Sequence, residues 1–197
     1  MKVIVGITGA TGTVYGYRLL QRLNERGIET SIIISEYAAR ILQMEDSKSV
    51  EDLEGFGEVY RSSDLMAPTA SGSCRFDAMV IAPCTMKTLA EIANGLSSNL
   101  ISRTADVALK ERRRLILVTR ETPLSRVHIK NMLKVTSAGA VVLPASPGFY
   151  HKPKTIGDLV DYVVGKVLDQ LGIEHELFRR WGEEEYDVTG RSSSSAQ

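Results

Sequence analysis

The clearest periodic signal lies near the end of the chain. Ile156, Leu159, Val160, Val163, Val167, Leu168 and Leu171 fall at i, +3, +4, +7, +11, +12 and +15, the apolar face of one long helix. The runs that precede it are of a different kind. Val3–Ile7 and Ile28–Ile34 are rich in β-branched residues, and the turn Thr8-Gly9-Ala10-Thr11-Gly12 follows the first of them. Between the two, Tyr15, Leu19, Leu20 and Leu23 keep helical spacing, and Gly27 closes that stretch as a helix C-cap would. Ala78–Ala82, stopped by Pro83, Leu115–Thr119, and Ala140–Leu143, stopped by Pro144, read as further buried strands. Helical patterns occupy Thr85–Ala93, Arg103–Lys110 and Ser125–Lys134. Unbroken apolar strands alternating with helices predict a single-domain α/β fold. It is a doubly wound, Rossmann-like or flavodoxin-like parallel sheet with helices on both faces. One domain is expected over residues 1–183, followed by a C-terminal tail at 184–197 whose serine-rich end, from Arg191, is expected to be disordered. Residues 62–75 read as a long loop, a length that is often functional.

Composition narrows the classes. At 197 residues with 43% apolar content the chain can bury a full core without staples. Its 24 basic and 24 acidic residues cancel, which argues against a protein that grips a nucleic-acid backbone. Any phosphate it binds is expected at a local site. Two cysteines, Cys74 and Cys84, are too few and too widely spaced for a disulfide scaffold or a thiolate zinc site, so a reducing cytoplasm fits. No apolar run reaches the length needed to span a bilayer, and the first residues read as a strand, not a leader. The three histidines have no ligand spacing between them, so no metal site is expected.

The chemistry-bearing residues cluster where strands end. The Gly9–Gly12 turn opens a helix, and helix starts favour phosphate. Its glycines do not match the GxGxxG dinucleotide fingerprint; they come closer to the TGxxGxxG turn of some NAD-dependent dehydrogenases, with one residue too many before Gly16. Glu36 stands where an acid could hold a ribose, but Ser35 as N-cap with Glu36 in the first helical turn is the better reading. Pro83-Cys84-Thr85-Met86-Lys87-Thr88 makes a second helix start at the same edge. Arg120 and Glu121 follow a buried strand directly, at the edge where such sheets bind ligands. Tyr150-x-x-x-Lys154 has a dehydrogenase-like spacing, but Pro153 breaks the helix that pair would need. Arg103 and Lys110 share a helix face. Lys166 flanks the apolar stripe of the last helix, where its stem could pack while its ammonium reaches outward.

The ordered set ITGATG, SDLMAPTASGS, APCTMKTLA, NLISRTADVALKERR, VTRETPLS, NMLKVTSAGAVVLPASPGFYHKP, DLVDYVVGKVLDQLGI and RWGE resembles the UbiX-type flavin prenyltransferases from Met1 to about Glu183. The resemblance implies a metal-independent transferase. It joins dimethylallyl phosphate to reduced FMN at N5 and C6, making prenylated FMN for a UbiD-type decarboxylase. It implies a homo-oligomer, a dodecamer, with active sites between subunits and no membrane or nucleic-acid partner. By the same resemblance Gly9, Ala10, Thr11, Ser35, Thr85, Met86, Lys87, Thr88 and Arg120 contact FMN. Tyr150 and Lys166 bind the dimethylallyl phosphate group. Arg103 and Lys110 are further phosphate-side cations given across a subunit interface, Glu121 handles protons, and Trp181 lies near the prenyl group. The chain has Leu65 where many relatives carry tryptophan and Thr11 where most carry serine; both are expected to retune the rate and not the reaction. Two other readings remain: an FMN-binding decarboxylase of the same superfamily, and a non-catalytic flavin-binding partner of a decarboxylase.

Overall fold

A computed structural model describes residues 1–182. The expected tail at 184–197 lies outside the described residues. Six strands, β1 (Lys2–Ile7), β2 (Glu29–Ile34), β3 (Glu58–Arg61), β4 (Ala78–Cys84), β5 (Arg114–Thr119) and β6 (Val141–Pro144), form one sheet in the order β3-β2-β1-β4-β5-β6. Every neighbouring pair is parallel. Chain direction across the sheet reverses between β1 and β4, the switch point where such folds open a ligand crevice.

The helices are α1 (Thr13–Glu25), α2 (Glu36–Asp46), α3 (Glu51–Glu54), α4 (Met86–Ala93), α5 (Leu100–Lys110), α6 (Arg126–Ser137) and α7 (Ile156–Leu171). Alternation within each strand feeds two separate cores. Val3, Val5 and Ile7 of β1 point to one face with Leu19, Leu20 and Leu23 of α1 and Val160, Val163, Val167 and Leu168 of α7. Ile4 of β1 and Met79 and Ile81 of β4 point to the other, with Leu89 of α4 and Leu100, Ile101 and Val107 of α5. A strand buried on both faces has no polar side, which is why these strands read as continuous apolar runs.

Helix starts follow the capping rules. Ser35, Thr85, Ser125 and Thr155 each accept a backbone N–H three residues on, and Asn99 accepts from Ile101 and Ser102. Three elements escaped the sequence pattern. β3 is a four-residue edge strand without a buried residue, while α2 has only Ala38 and Leu42 buried and α3 only Leu53. The expected 62–75 loop contains a 3-10 turn, Pro68–Ala70, and is docked on α5. Thr104 Oγ1 bonds Thr69 O at 3.3 Å, and Arg113 donates to the carbonyls of Gly72 and Cys74 at 2.9 and 2.7 Å.

Gly16 sets the approach of α1 to the sheet. A Cβ there would lie 2.3 Å from the Ala82 carbonyl oxygen of β4. Neither helix nor strand backbone can yield that distance cheaply. Gly16→Ala is therefore expected to destabilise the fold by about 1–3 kcal/mol, the usual cost of overpacking, read as a lowered urea midpoint with unchanged slope.

Candidate functional site at the strand-to-helix mouths

At the carboxyl edge, the ends of β1 and β4 are stitched together by one side chain. Thr8 Oγ1 donates to Pro83 O at 2.6 Å and accepts from the Thr85 N–H at 2.9 Å. This fixes the two helix-opening turns beside each other. A cleft of about 370 Å³ opens there, lined by Thr8, Gly9, Ser35, Tyr37, Thr85 and Thr88, with Lys87, Asn99 and the acid Glu36 also in its wall. That volume is in the range of about 300–1,000 Å³ typical of small-molecule sites. The starts of α2 and α4 both face it. Their Ser35 and Thr85 caps take up the Ala38 and Thr88 N–H groups, at 3.2 and 3.1 Å, of the four unpaired at each helix start. Two helix N-termini beside one cleft suit an anion. Asn99 is held at the rim by Glu91, to which it donates at 3.0 Å.

Individual residues depart from their expected parts. Gly9 is required by packing as much as by any ligand, since a Cβ there would meet Tyr37 Cβ at 2.7 Å. Met86 is buried in the core and does not line the cleft. Lys87 is exposed, with Glu91 3.8 Å away. Glu36 pairs with Arg40 on the surface at 2.5 Å, as the first-turn acid of a capped helix.

The start of α1 is closed to an outside anion. Glu45, at the far end of α2, accepts from the Gly12 N–H at 2.9 Å and from Thr13 N and Thr13 Oγ1 at 3.1 and 3.0 Å. The expectation that this glycine-rich turn awaits a phosphate is corrected: its carboxylate comes from within the chain. Sequence reasoning missed Glu45 because nothing local marks a cap 33 residues away. Thr11 lies beside this closed turn and is exposed. Ala10 is buried, and its N–H bonds the Thr8 carbonyl at 2.8 Å.

Arg120 is tied to the same edge, its N–H bonding Cys84 O at 3.3 Å. Its Nε is buried without a hydrogen-bond partner among the described residues, so a donor is held ready for an acceptor. Arg120 and Glu121 line an adjoining cleft of about 230 Å³ with Thr119, Pro144 and Ser146. A shallower depression of about 580 Å³ at the opposite edge, between Phe76 and Arg112–Arg114, holds none of the expected site residues.

The remaining expected residues stand elsewhere on the chain. Tyr150 packs edge-on against Tyr162 of α7 and against Trp181, with ring centroids 5.9 and 5.6 Å apart. Trp181 is 68% exposed. Tyr162 and Lys166 are i and i+4 on α7 and so share a face. Lys166 bonds Asp169 at 3.1 Å. Arg114, which starts β5, bonds the Gln170 carbonyl, so this end of α7 lies at the amino edge of the sheet. Lys166 lies about one helical turn before that end. Arg103 and Lys110 are on α5, whose buried residues pack on the opposite face. Arg103 bonds Ala70 O and Asp106 at 3.0 and 2.7 Å, and Lys110 pairs with Glu111. One chain therefore gathers the mouth residues around one cleft and Arg120 with Glu121 around a second, while Arg103, Lys110 and Lys166 are each engaged by a neighbouring acid of their own segment.

Two carboxyl and thiol groups are strongly perturbed. Burial alone would raise the Asp169 carboxyl, but hydrogen bonds and charges from Arg180 and Lys166 overcome it and hold the group down to about 2. Burial pushes the Cys84 thiol up to about 12. Cys84 is thus an inert core thiol despite its place beside the cleft.

Against this geometry the comparisons are specific. Residues 1–168 match the model of the Flavoprotein family. A flavin prenyltransferase UbiX from Halalkalibacterium halodurans is 52% identical over 191 residues, covering 91% of this chain and 93% of that relative. A crystal structure of a UbiX in complex with FMN and dimethylallyl pyrophosphate superposes with a TM-score of 0.90 at 45% identity, covering 93% of this chain and 98% of that one. A dodecameric FMN-dependent UbiX-like decarboxylase from Escherichia coli O157:H7 gives 0.89 at 45% identity, over 92% and 99%. The fold and mouths define a flavoprotein, and the chain belongs to that family, within its UbiX flavin prenyltransferase group.

Two outcomes are expected at this site. Iodoacetamide at pH 8 leaves Cys84 unlabelled in the native protein and labels it only after denaturation, as peptide mass mapping would read. Glu45→Ala strands the Gly12 and Thr13 donors and lowers stability by about 1 kcal/mol, the usual size of a lost cap, in urea denaturation at neutral pH.

Proposed function

We propose that the protein is a flavin prenyltransferase that transfers the five-carbon group of dimethylallyl phosphate to reduced FMN. The observation that carries this reading is the near full-length match, at a TM-score of 0.90, to a UbiX holding FMN and dimethylallyl pyrophosphate. Residues of this chain fit a flavin mononucleotide. Two helix starts suit its single phosphate, and the orphaned Arg120 Nε offers a donor to the ring system. When bound, reduced FMN supplies the nucleophilic N5 and C6 positions, and prenylated FMN is the product for a UbiD-type decarboxylase.

The chain's own contributions follow from charge. Gly9, Ala10, Thr11 and Ser35 on one side, and Thr85, Met86, Lys87 and Thr88 on the other, hold and orient the flavin. A monophosphate is a poor leaving group, so fixed cations and donors must stabilise it as the carbon–oxygen bond breaks. Lys166, the Tyr150 hydroxyl, Arg103 and Lys110 take that part, without a metal. The allyl group gains positive charge as phosphate departs, and an aromatic face such as Trp181 stabilises it by roughly 0.5–2 kcal/mol. Glu121, exposed beside Arg120, handles the proton lost as the second bond forms.

A UbiX-like protein of the same fold is dodecameric, and we assign the complete site to the junction of several copies in a homo-dodecamer. No helix among the described residues is long and apolar enough to cross a membrane. We place residues 1–183, one domain, in the cytoplasm; both cysteines are free thiols, which suits a reducing compartment.

Incubation with reduced FMN and dimethylallyl phosphate under strict anaerobiosis is expected to yield a flavin heavier by one prenyl unit in mass spectrometry. Recovery of unaltered FMN would refute the assignment. Tyr150→Phe and Lys166→Ala are each expected to slow turnover by about a hundredfold while FMN stays bound.

A further inference from the structure

The segment after α7 runs back along that helix and is fitted to it at two points. The first is a notch. Gly165 has no side chain, and a Cβ there would lie 2.5 Å from Phe178 Cε1 and 2.7 Å from His175 Cε1. Both residues are buried in that space, and Phe178 packs on Tyr162 at 4.8 Å between ring centroids. The second is a carboxylate. Asp169 accepts from Arg180 Nη2 at 2.7 Å and from Lys166 Nζ at 3.1 Å, and His175 Nε2 stands 3.2 Å from it. The Leu177 N–H donates to His175 Nδ1, at 3.2 Å, so the ring proton sits on Nε2 and points at Asp169. One carboxylate thus joins the helix lysine to the arginine that immediately precedes Trp181.

We propose that Asp169 is a positioning residue for the allyl-donor end of the site: it latches residues 173–182 onto α7, and thereby fixes the Lys166 ammonium, the Trp181 indole and the Tyr150 ring relative to one another. The proposal rests on the assignment of Tyr150 and Lys166 to the donor phosphate. Three considerations support it. An unrestrained lysine has four rotatable bonds, and pairing it on its own helix limits where its charge can stand before phosphate arrives. Trp181 packs edge-on against Tyr150 and directly follows Arg180 in the chain, so a shift of the Arg180 anchor is passed to the indole. The Asp169 negative charge is offset by Arg180, so Lys166 can turn to a phosphate without leaving a bare carboxylate behind.

Trp181 is the single tryptophan of the sequence, so its fluorescence reports the latch alone. In the full-length, FMN-loaded oligomer, Asp169→Asn is expected to lower tryptophan anisotropy and raise the KM for dimethylallyl phosphate. The KM rise expected of a misplaced binding group is between about tenfold and a hundredfold. FMN affinity stays unchanged, which also confirms that the variant folds. Arg180→Gln frees the segment without touching α7 and is expected to give the same fall in anisotropy. Gly165→Ala does so by filling the notch while leaving every charge in place. Asp169→Glu recovers part of the donor KM. Unchanged anisotropy in Asp169→Asn and Arg180→Gln would overturn the latch. If Lys166→Ala leaves the donor KM unaltered while anisotropy still falls in Asp169→Asn, the latch stands and the donor assignment of Lys166 is what fails.

Discussion

One hydroxyl ties the exits of two paired strands together at the point where the sheet's winding reverses. Thr8 follows β1, and its Oγ1 donates to the carbonyl of Pro83 in β4 and accepts from the amide of Thr85 just past it. Parallel neighbours normally diverge after their last ladder bond, since each goes into its own helix. Here the exits of β1 and β4 are held together, and the Ser35 N–H bonds the Ile7 carbonyl at 3.1 Å, which brings the start of α2 to the same cleft as the start of α4. The close seat of Gly16 on Ala82 draws α1 in behind them. Burial of both faces of the sheet makes this frame stiff, because the four inner strands are packed from two sides.

The frame was legible in the sequence for a plain reason. Strands buried on both faces are apolar along most of their length, and β1, β2, β4 and β5 announced themselves that way. The last helix shows its face from Val160 on because α7 covers one core. The β3 strand did not show, because Glu58-Val59-Tyr60-Arg61 has charged ends and only two central apolar positions, whereas β6, an edge strand of the same length, showed through its Val141-Val142-Leu143 run. α2 was equally quiet: most of its surface is wet, and only its Ser35 cap was readable.

The site was legible in part. Local chemistry located the capped starts at Ser35 and Thr85, and the charged pair Arg120–Glu121 at the end of β5. Function of the more distant residues came from the resemblance alone, and the fold explains why. Tyr150, Lys166 and Trp181 belong to one aromatic and ionic patch that no short spacing encodes, since Asp169 links positions 166 and 180 through space. Arg103 and Lys110 share a helix face, as their spacing says, but that face is engaged with the 62–75 loop and with local acids. Spacing can put charges on one side of a helix; it does not say what that side meets.

The carboxylate of Glu45 on the first turn of α1 has a consequence for ligand selection. In related winding patterns this turn is the berth of a dinucleotide's paired phosphates. Here the berth is filled from inside, and a second anion brought to it would meet like charge at close range. Self-occupation thus sets this turn against any ligand whose paired phosphates would need it.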